Sequence, residues 1–308
     1  MEKKFSGDPS EIIQSFRNFN LQIHCCRYWW VTNWEHKELS FPFWRIYSNV
    51  QEGGFMEYRG QIYEMEPNKL YLIAPNTNYS SRLYNNHIPE EGYNFTGGRI
   101  SDIDKELLNK LIKDGAVEHL FIHFTLGYPY DNVSPGIYIF NKDKHLDDKI
   151  NILRDYLTRN VAQFNFTVSL TIQSLICDLL INMGEEKWKD PIRDVRIAGV
   201  INHIENNIDN DFTNESLANI ANMATNAFSR LFKEHTGSTV QHFIRKKRVN
   251  KACLMLLHSN HSIDEVADRT GFANRYHFTR IFKKVRGHTP AKYRKDGFFQ
   301  GILSGDQN

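Results

Sequence analysis

The side chains of this chain best suited to chemistry on another molecule are polar and basic groups that recur at matching places in two segments. Thr225, Asn226, Ser229 and Arg230 stand in the first, and Asn274, Arg275, Tyr276, Thr279 and Arg280 in the second. Arg offers guanine a bidentate donor fork, Asn pairs with adenine, and a Thr methyl packs on that of thymine, so the set can read base edges in a major groove. Arg230 and Arg280, at equivalent places, are the strongest pair. The same residues on an isolated helix would be ordinary solvated surface. What favours the reading of bases is their setting: residues 191–296 hold 18 basic and 10 acidic side chains, a net charge of +8, and the rest of the chain, with 20 and 26, carries −6. A basic end beside an acidic one fits a nucleic-acid partner for the basic part.

The elements that must position these residues follow from an internal repeat. Leu217-Ala218, Phe228-Ser-Arg-Leu-Phe-Lys233 and Gly237 reappear as Val266-Ala267, Phe278-Thr-Arg-Ile-Phe-Lys283 and Gly287, offset by 49 residues before the turn and 50 after it. Each copy reads as a short capped helix, a turn of about four residues and a longer helix, which is helix-turn-helix spacing. Ser262 and Glu265 make a capping box, and Thr213 with Glu215 opens the first copy. Phe228/Phe232 and Phe278/Phe282, at i and i+4, form the buried side of each second helix and leave the opposite side free. A helix over Thr239–Leu257 joins the copies, and its 19 residues span roughly 28 Å, near the ~34 Å that separates successive major-groove faces. Its Arg245-Lys246-Lys247-Arg248 run is either a set of phosphate contacts or a solvated basic face.

Upstream the pattern is different. Leu21–Trp34, Trp44–Val50, Phe55–Tyr58, Gln61–Met65, Leu70–Ile73, His119–Thr125 and Ile137–Phe140 read as short strands divided by turn pairs such as Gly53-Gly54, Pro75-Asn76 and Pro135-Gly136. A small all-β barrel is the first expectation. From Asp147 to Met183 the period lengthens, with Ile150, Leu153 and Leu157, then Val168, Ile172, Leu175, Ile176, Leu179 and Met183, predicting two amphipathic helices. The first covers the barrel; the near-heptad stripe of the second suits an intrachain or a dimer contact equally. Gly184 to Pro191, with five charges, reads as a linker. The expected division is therefore residues 1–183 as an effector-binding and dimerisation domain, 184–191 as linker and 192–297 as a DNA-binding domain.

Within the β region, Trp34, Trp44, Tyr47 and Tyr58 with His36, Arg45 and Asn76 nearby suit stacking on a sugar-like ligand. An aromatic-rich core is the alternative, and Trp29 and Trp30 must face opposite sides of any strand. Little points to catalysis: there is no Gly-x-Ser-x-Gly and no phosphate-binding glycine loop, and Cys25, Cys26, Cys177 and Cys253 make no Cys-x-x-Cys pair. His24, His36, His87, His119, His123 and His145 can supply imidazoles, with His119 and His123 on one strand face, but the His-x-His pattern of metal cupins is missing. No catalytic residue, metal or cofactor is expected. No apolar stretch approaches a membrane span and the first twenty residues hold no signal-peptide core, so a cytoplasmic location without a membrane partner is expected.

The run Phe228-Ser-Arg-Leu-Phe-Lys, then Val266-Ala267, Gly271-Phe272, Phe278-Thr-Arg-Ile-Phe-Lys-Lys284, Thr289-Pro290 and Tyr293-Arg294 resembles the DNA-binding domain of the AraC/XylS family of bacterial transcription regulators, over about a third of the chain. The resemblance implies a seven-helix, all-α domain with two helix-turn-helix units that activates or represses transcription, as a homodimer on double-stranded DNA with RNA polymerase as a partner. Ala224 and Ala273 stand where the family commonly has Ser, which shifts capping to Thr225 and Asn274. Pro42-Phe-Trp-Arg-Ile-Tyr47 and Leu72-Ile-Ala-Pro-Asn76 are similar to the cupin-like sensor domain of such regulators, which implies a small effector, often a sugar, inside the barrel. Asn68 and Tyr79 depart from a usual Gly and His there. The fold class expected is thus multidomain: an N-terminal all-β cupin-like barrel plus two helices, then the helical domain.

Overall fold

The computed structural model describes residues 19–84, 93–159, 163–188, 192 and 194–297. The start of the expected sensor domain, His87 and the last three linker residues lie outside them. The N-terminal part builds one antiparallel sheet from β1 (Gln22–Leu39), β2 (Trp44–Asn49), β3 (Gly54–Tyr58), β4 (Gln61–Glu64), β5 (Lys69–Ile73), β6 (Tyr79–Leu83), β7 (Tyr93–Arg99), β8 (Val117–Thr125) and β9 (Ile137–Asn141), with α1 (Lys105–Lys113) before β8. The hydrogen-bonded order is β4-β3-β6-β1-β8-β2-β5-β9, with β7 on β1. The expected barrel is realised as a half-barrel whose path ends at β4 and β9. The long β1 organises it, pairing with β8 from Gln22 to Val31, with β7 from Trp29 to His36 and with β6 from Glu35 to Leu39.

Two strands seen here, β6 and β7, were not expected from sequence. Gly97 and Gly98 both lie in β7, where a Cβ on Gly97 would sit 2.5 Å from the Trp30 carbonyl oxygen. Gly97 lets two backbones approach and Gly98 makes room for the Trp30 ring, a use of Gly inside a strand that marks close approach.

Alternation sorts the strand residues onto two faces. On β2, Trp44 and Ile46 join a core with Leu120, Ile122 and Phe124 of β8, while Tyr47 packs on the other face with Trp34, Tyr71, Tyr79 and Phe121. Trp29 and Trp30 likewise part to opposite faces. The first face is covered by α2 (Lys144–Leu157) and α3 (Phe166–Ile181), opened by the Asp143 and Asn165 caps. The near-heptad stripe of α3, from Val168 to Met183, is turned wholly inward. Its opposite side leaves Phe166, Leu170 and Ile181 exposed.

The C-terminal part is helical: α4 (Val195–Asn206), α5 (Asn214–Ile220), α6 (Thr225–Thr236), α7 (Val240–His258), α8 (Ile263–Arg269), α9 (Arg275–Arg286) and α10 (Pro290–Gly297). Capping boxes open α5 and α8, through Thr213 with Ser216 and Ser262 with Glu265. The paired rings Phe228/Phe232 and Phe278/Phe282 are fully buried, 5.7 and 5.5 Å between centroids. In each unit one turn residue is left-handed: Asn222 at φ +51° and Gly271 at φ +74°. A Cβ at Gly271 would also lie 2.8 Å from the Asp209 carbonyl, so strain and a backbone clash add. Gly271→Ala is expected to destabilise the helical part by about 1–3 kcal/mol, read as a lower urea midpoint by circular dichroism; an unchanged midpoint would show that the turn relaxes.

Candidate functional site

The second helix of each unit presents the side opposite its phenylalanines. Asn226, Arg230, Asn274, Arg275, Tyr276 and Arg280 are exposed there, Tyr276 at 84%, and Thr225, Ser229 and Thr279 are half-buried. Local bonds set the two units apart. Asn274 caps α9, its Oδ1 accepting the His277 amide at 2.9 Å. Ala224 occupies the cap of α6 without a side-chain bond, and Thr225 lies inside the helix, so the capping expected of Thr225 is not found. Ser229 Oγ accepts from Asn214 Nδ2 at 3.4 Å, and Arg275 pairs with Asp264 at 3.3 Å. Arg230 and Arg280 are the exposed guanidiniums at matching positions.

The basic run on α7 divides. Arg248 donates to the carbonyls of Ile208 at 3.0 Å, of Asn210 at 2.6 Å and of Gly271, and so clamps the first unit to the turn of the second. Lys247 pairs with Glu205 of α4. Neither choice open from sequence, phosphate contact or solvated face, describes these two; Arg245 and Lys246 stay exposed.

The residues proposed to hold an effector are not all brought together. Trp34, His36, Arg45 and Tyr47 point inward and are buried, whereas Trp44 lies on the opposite sheet face, its Nε1 donating to Asp131 at 3.1 Å. Trp44 therefore cannot line one pocket with Arg45, for the simple reason that strand neighbours alternate. Tyr58 is at the rim, donating to the Pro135 carbonyl at 2.8 Å. Asn76 is left-handed, at φ +59°, and its Oδ1 accepts from Arg286 of α9 at 3.4 Å. Arg45 is wholly buried: its Nη1 donates to the Tyr79 hydroxyl at 3.2 Å, its Nη2 reaches the Thr77 carbonyl at 3.5 Å, and Nε has no partner. Its guanidinium lies over the Phe41 and Tyr79 rings, 4.9 and 4.8 Å from their centroids. The Trp34 ring meets Tyr47 and His119 at 5.9 and 4.6 Å, so these aromatic faces cover one another.

Sequence reading missed the junction between the two parts. Phe41 and Phe43, in the β1–β2 turn, are buried in one core with Val249, Leu256, Phe278, Phe282 and Tyr293 of the helices. Tyr128 packs edge-on to Phe243 at 5.5 Å, and its amide donates to Glu205 at 3.3 Å. The one sequence signal for this contact is Phe41-Pro-Phe43 itself, an apolar segment between strands where polar turn residues are usual.

A helix-turn-helix domain family matches residues 217–296. The chain carries an AraC-type helix-turn-helix domain. The chain is similar to an uncharacterized HTH-type transcriptional regulator, YpdC of Escherichia coli K12, with 31% identity over 147 residues, 47% of this chain and 50% of that protein. The bifunctional transcriptional activator/DNA repair enzyme AdaA of Bacillus subtilis 168 is 30% identical over 125 residues, 41% of this chain and 56% of its own length. The chain thus spans about half the length of these curated relatives. Among solved structures, the DNA-binding domain of AdpA in complex with a target DNA is 33% identical, covering 32% of this chain and 90% of that one, with a TM-score of 0.32. ToxT from Vibrio cholerae O395 is 10% identical, covering 92% and 99%, with a TM-score of 0.48.

None of the helices among the described residues is long and apolar enough to cross a membrane. For the AraC-type domain, Arg280→Ala and Arg230→Ala are each expected to weaken specific DNA binding by about 1–3 kcal/mol, the worth of one bidentate base contact. Fluorescence anisotropy on a mapped operator reads this; unchanged affinity and footprint would remove the residue from the reading set.

The half-barrel interior also predicts a pH dependence. Burial, with a smaller contribution from Arg154, pushes the His119 imidazole down from its ordinary 6.5 to about 3, and its Nδ1 lies 2.8 Å from Asn49 Oδ1. Below pH 6.5 the unfolded chain takes up a proton that the folded ring refuses until about 3, so stability falls as pH drops through that window. One such ring removes about 2 kcal/mol between pH 7 and pH 5, and His36 is shifted the same way by burial and Arg45. Urea unfolding at the two pH values should show a smaller loss for His119→Gln than for the wild type; equal losses would place the dependence elsewhere.

Proposed function

We propose that this chain is a sequence-specific DNA-binding transcription regulator whose binding or activation is controlled by a small molecule held in its N-terminal β domain. The observation that carries this reading is the duplicated helix-turn-helix with Arg230 and Arg280 exposed at matching places on α6 and α9. The division into residues 1–183 for sensing and dimerisation and 192–297 for DNA binding belongs to the same proposal, as does RNA polymerase as a partner. A homodimer through α3 is supported by the exposed Phe166, Leu170 and Ile181 on the side away from its own core.

The effector class follows from charge. Arg45 is buried with a hydroxyl and a carbonyl as its bonded partners, and a guanidinium without a carboxylate in such a place favours an anionic ligand. A sugar acid or sugar phosphate therefore fits better than a neutral sugar, whose stacking would need the aromatic faces that now cover one another.

The test is occupancy mapped across the genome by crosslinking and sequencing of the full-length chain, beside the Arg230→Ala/Arg280→Ala double variant. A few sharp sites carrying a two-part motif spaced by one helical turn, lost in the variant, are expected. Diffuse occupancy that the variant does not change would overturn the reading.

A further inference from the structure

Cys25 of β1, His123 of β8 and His258, the last residue of α7, bring one sulfur and two ring nitrogens within 4.8 Å of one another. Cys25 and His123 are direct cross-strand partners, next to a register shift between Ile23 and Cys25. His123 Nδ1 and His258 Nε2 face each other at 3.3 Å. Two nitrogens bound at ~2.0–2.1 Å to one tetrahedral zinc ion stand about 3.3–3.4 Å apart, and a thiolate sulfur at ~2.3 Å lies about 3.5 Å from either. The two nitrogens already stand at that spacing, and the sulfur, within 4.8 Å of them, closes around an ion by at most about 1.3 Å.

The surroundings suit one. Phe43 packs on both imidazoles, 4.9 and 5.7 Å between ring centroids, and covers one side of the cluster, while Cys25 and His258 stay half-buried. His123 is 4% exposed, and the outer nitrogens of the two rings, His123 Nε2 and His258 Nδ1, have no protein hydrogen-bond partner to fix their tautomers, so the ring orientation rests on packing. His24 stacks on His258 at 6.3 Å with its own Nε2 on Thr125 Oγ1 at 3.0 Å. Arg27 and Arg45 also act on the cluster. Two guanidiniums disfavour a dication held by neutral groups alone, and the thiolate of Cys25 offsets one charge. Sulfur and imidazole donors exclude magnesium and calcium and select a borderline-soft ion.

We propose that Cys25, His123 and His258 form a Zn²⁺-type metal site that staples the half-barrel to α7, the helix joining the two helix-turn-helix units. Three protein ligands leave the fourth position to water, and binding releases the Cys25 proton to solvent. The site uses no residue of the DNA-reading set, and its test involves no DNA, so it stands or falls apart from the regulatory reading.

The experiment titrates the reduced, metal-free full-length chain with Co²⁺ alone. Expected are one ion per chain, the intense visible bands of tetrahedral cobalt, a thiolate-to-cobalt charge-transfer band, and loss of all three on adding Zn²⁺. Cys25→Ser should abolish the charge-transfer band, and His258→Gln should weaken binding at least about tenfold, while Cys177→Ser changes neither. Metal-free melting curves check that the variants fold. Protection of Cys25 from alkylation by Zn²⁺, mapped by mass spectrometry on the unmutated chain, gives a readout that needs no variant. Absence of the charge-transfer band in the wild type, its persistence in Cys25→Ser, or alkylation of Cys25 at the same rate with and without Zn²⁺ would each overturn the proposal and leave a His–His hydrogen bond.

Discussion

The arrangement of the two halves depends on Phe41 and Phe43. Both are buried, at 7% and 0% exposure, in the core of the second helix-turn-helix unit, although they belong to the β1–β2 turn. Removing two phenylalanine side chains from water is worth roughly 3–6 kcal/mol. The polar contacts across the same junction are stretched: the Arg286–Asn76 bond is 3.4 Å long and the Tyr128–Glu205 bond 3.3 Å, at the long end of hydrogen-bond geometry, so each falls short of the ~1.5–3 kcal/mol of a well-formed bond to a charged group. Apolar interlocking therefore sets the docking, and polar contacts set its angle.

That interlock explains why so much polar material is buried inside the half-barrel. Arg45 lies directly beneath Phe41, so its charge is sealed by the helical half and not by the sheet alone. His123 meets Phe43 and His258 at the same seam. Burial holds His36 and His123 well below the usual imidazole range, so these rings are neutral beside the Arg45 guanidinium. A buried charge of this kind is costly unless paired, and a sheet stabilised for its own sake would carry an apolar residue there.

Much of this was legible in the sequence wherever one element alone determined a residue's surroundings. The i, i+4 phenylalanine pairs, the caps at Thr213 and Ser262 and the shared face of His119 and His123 follow from helical or strand period and appear as expected. Trp44 and Arg45 were grouped by composition although period two separates them, an error that alternation itself corrects. What remained hidden depends on contacts between distant segments. Arg248 looks like a phosphate ligand in a basic run, and only the fold reveals the carbonyls of Ile208, Asn210 and Gly271 around it. The strand at Tyr93–Arg99 went unread because nothing local shows that the Trp30 carbonyl lies against Gly97.

The same energies would constrain how the effector proposed above could act. A ligand shifts an equilibrium only by its difference in affinity for the two states. Undocking Phe41 and Phe43 outright would require a difference of roughly 10²- to 10⁴-fold, from the ~3–6 kcal/mol they bury. The first helix-turn-helix unit meets the sheet side through Tyr128 on Phe243 and the Glu205 contacts, a smaller barrier. Rotation of that unit about α7, with the second kept docked, would spare the Phe41/Phe43 interlock but would have to release the Arg248 bonds that clamp the two units together. It would also change the angle between α6 and α9, the quantity on which simultaneous engagement of two grooves depends.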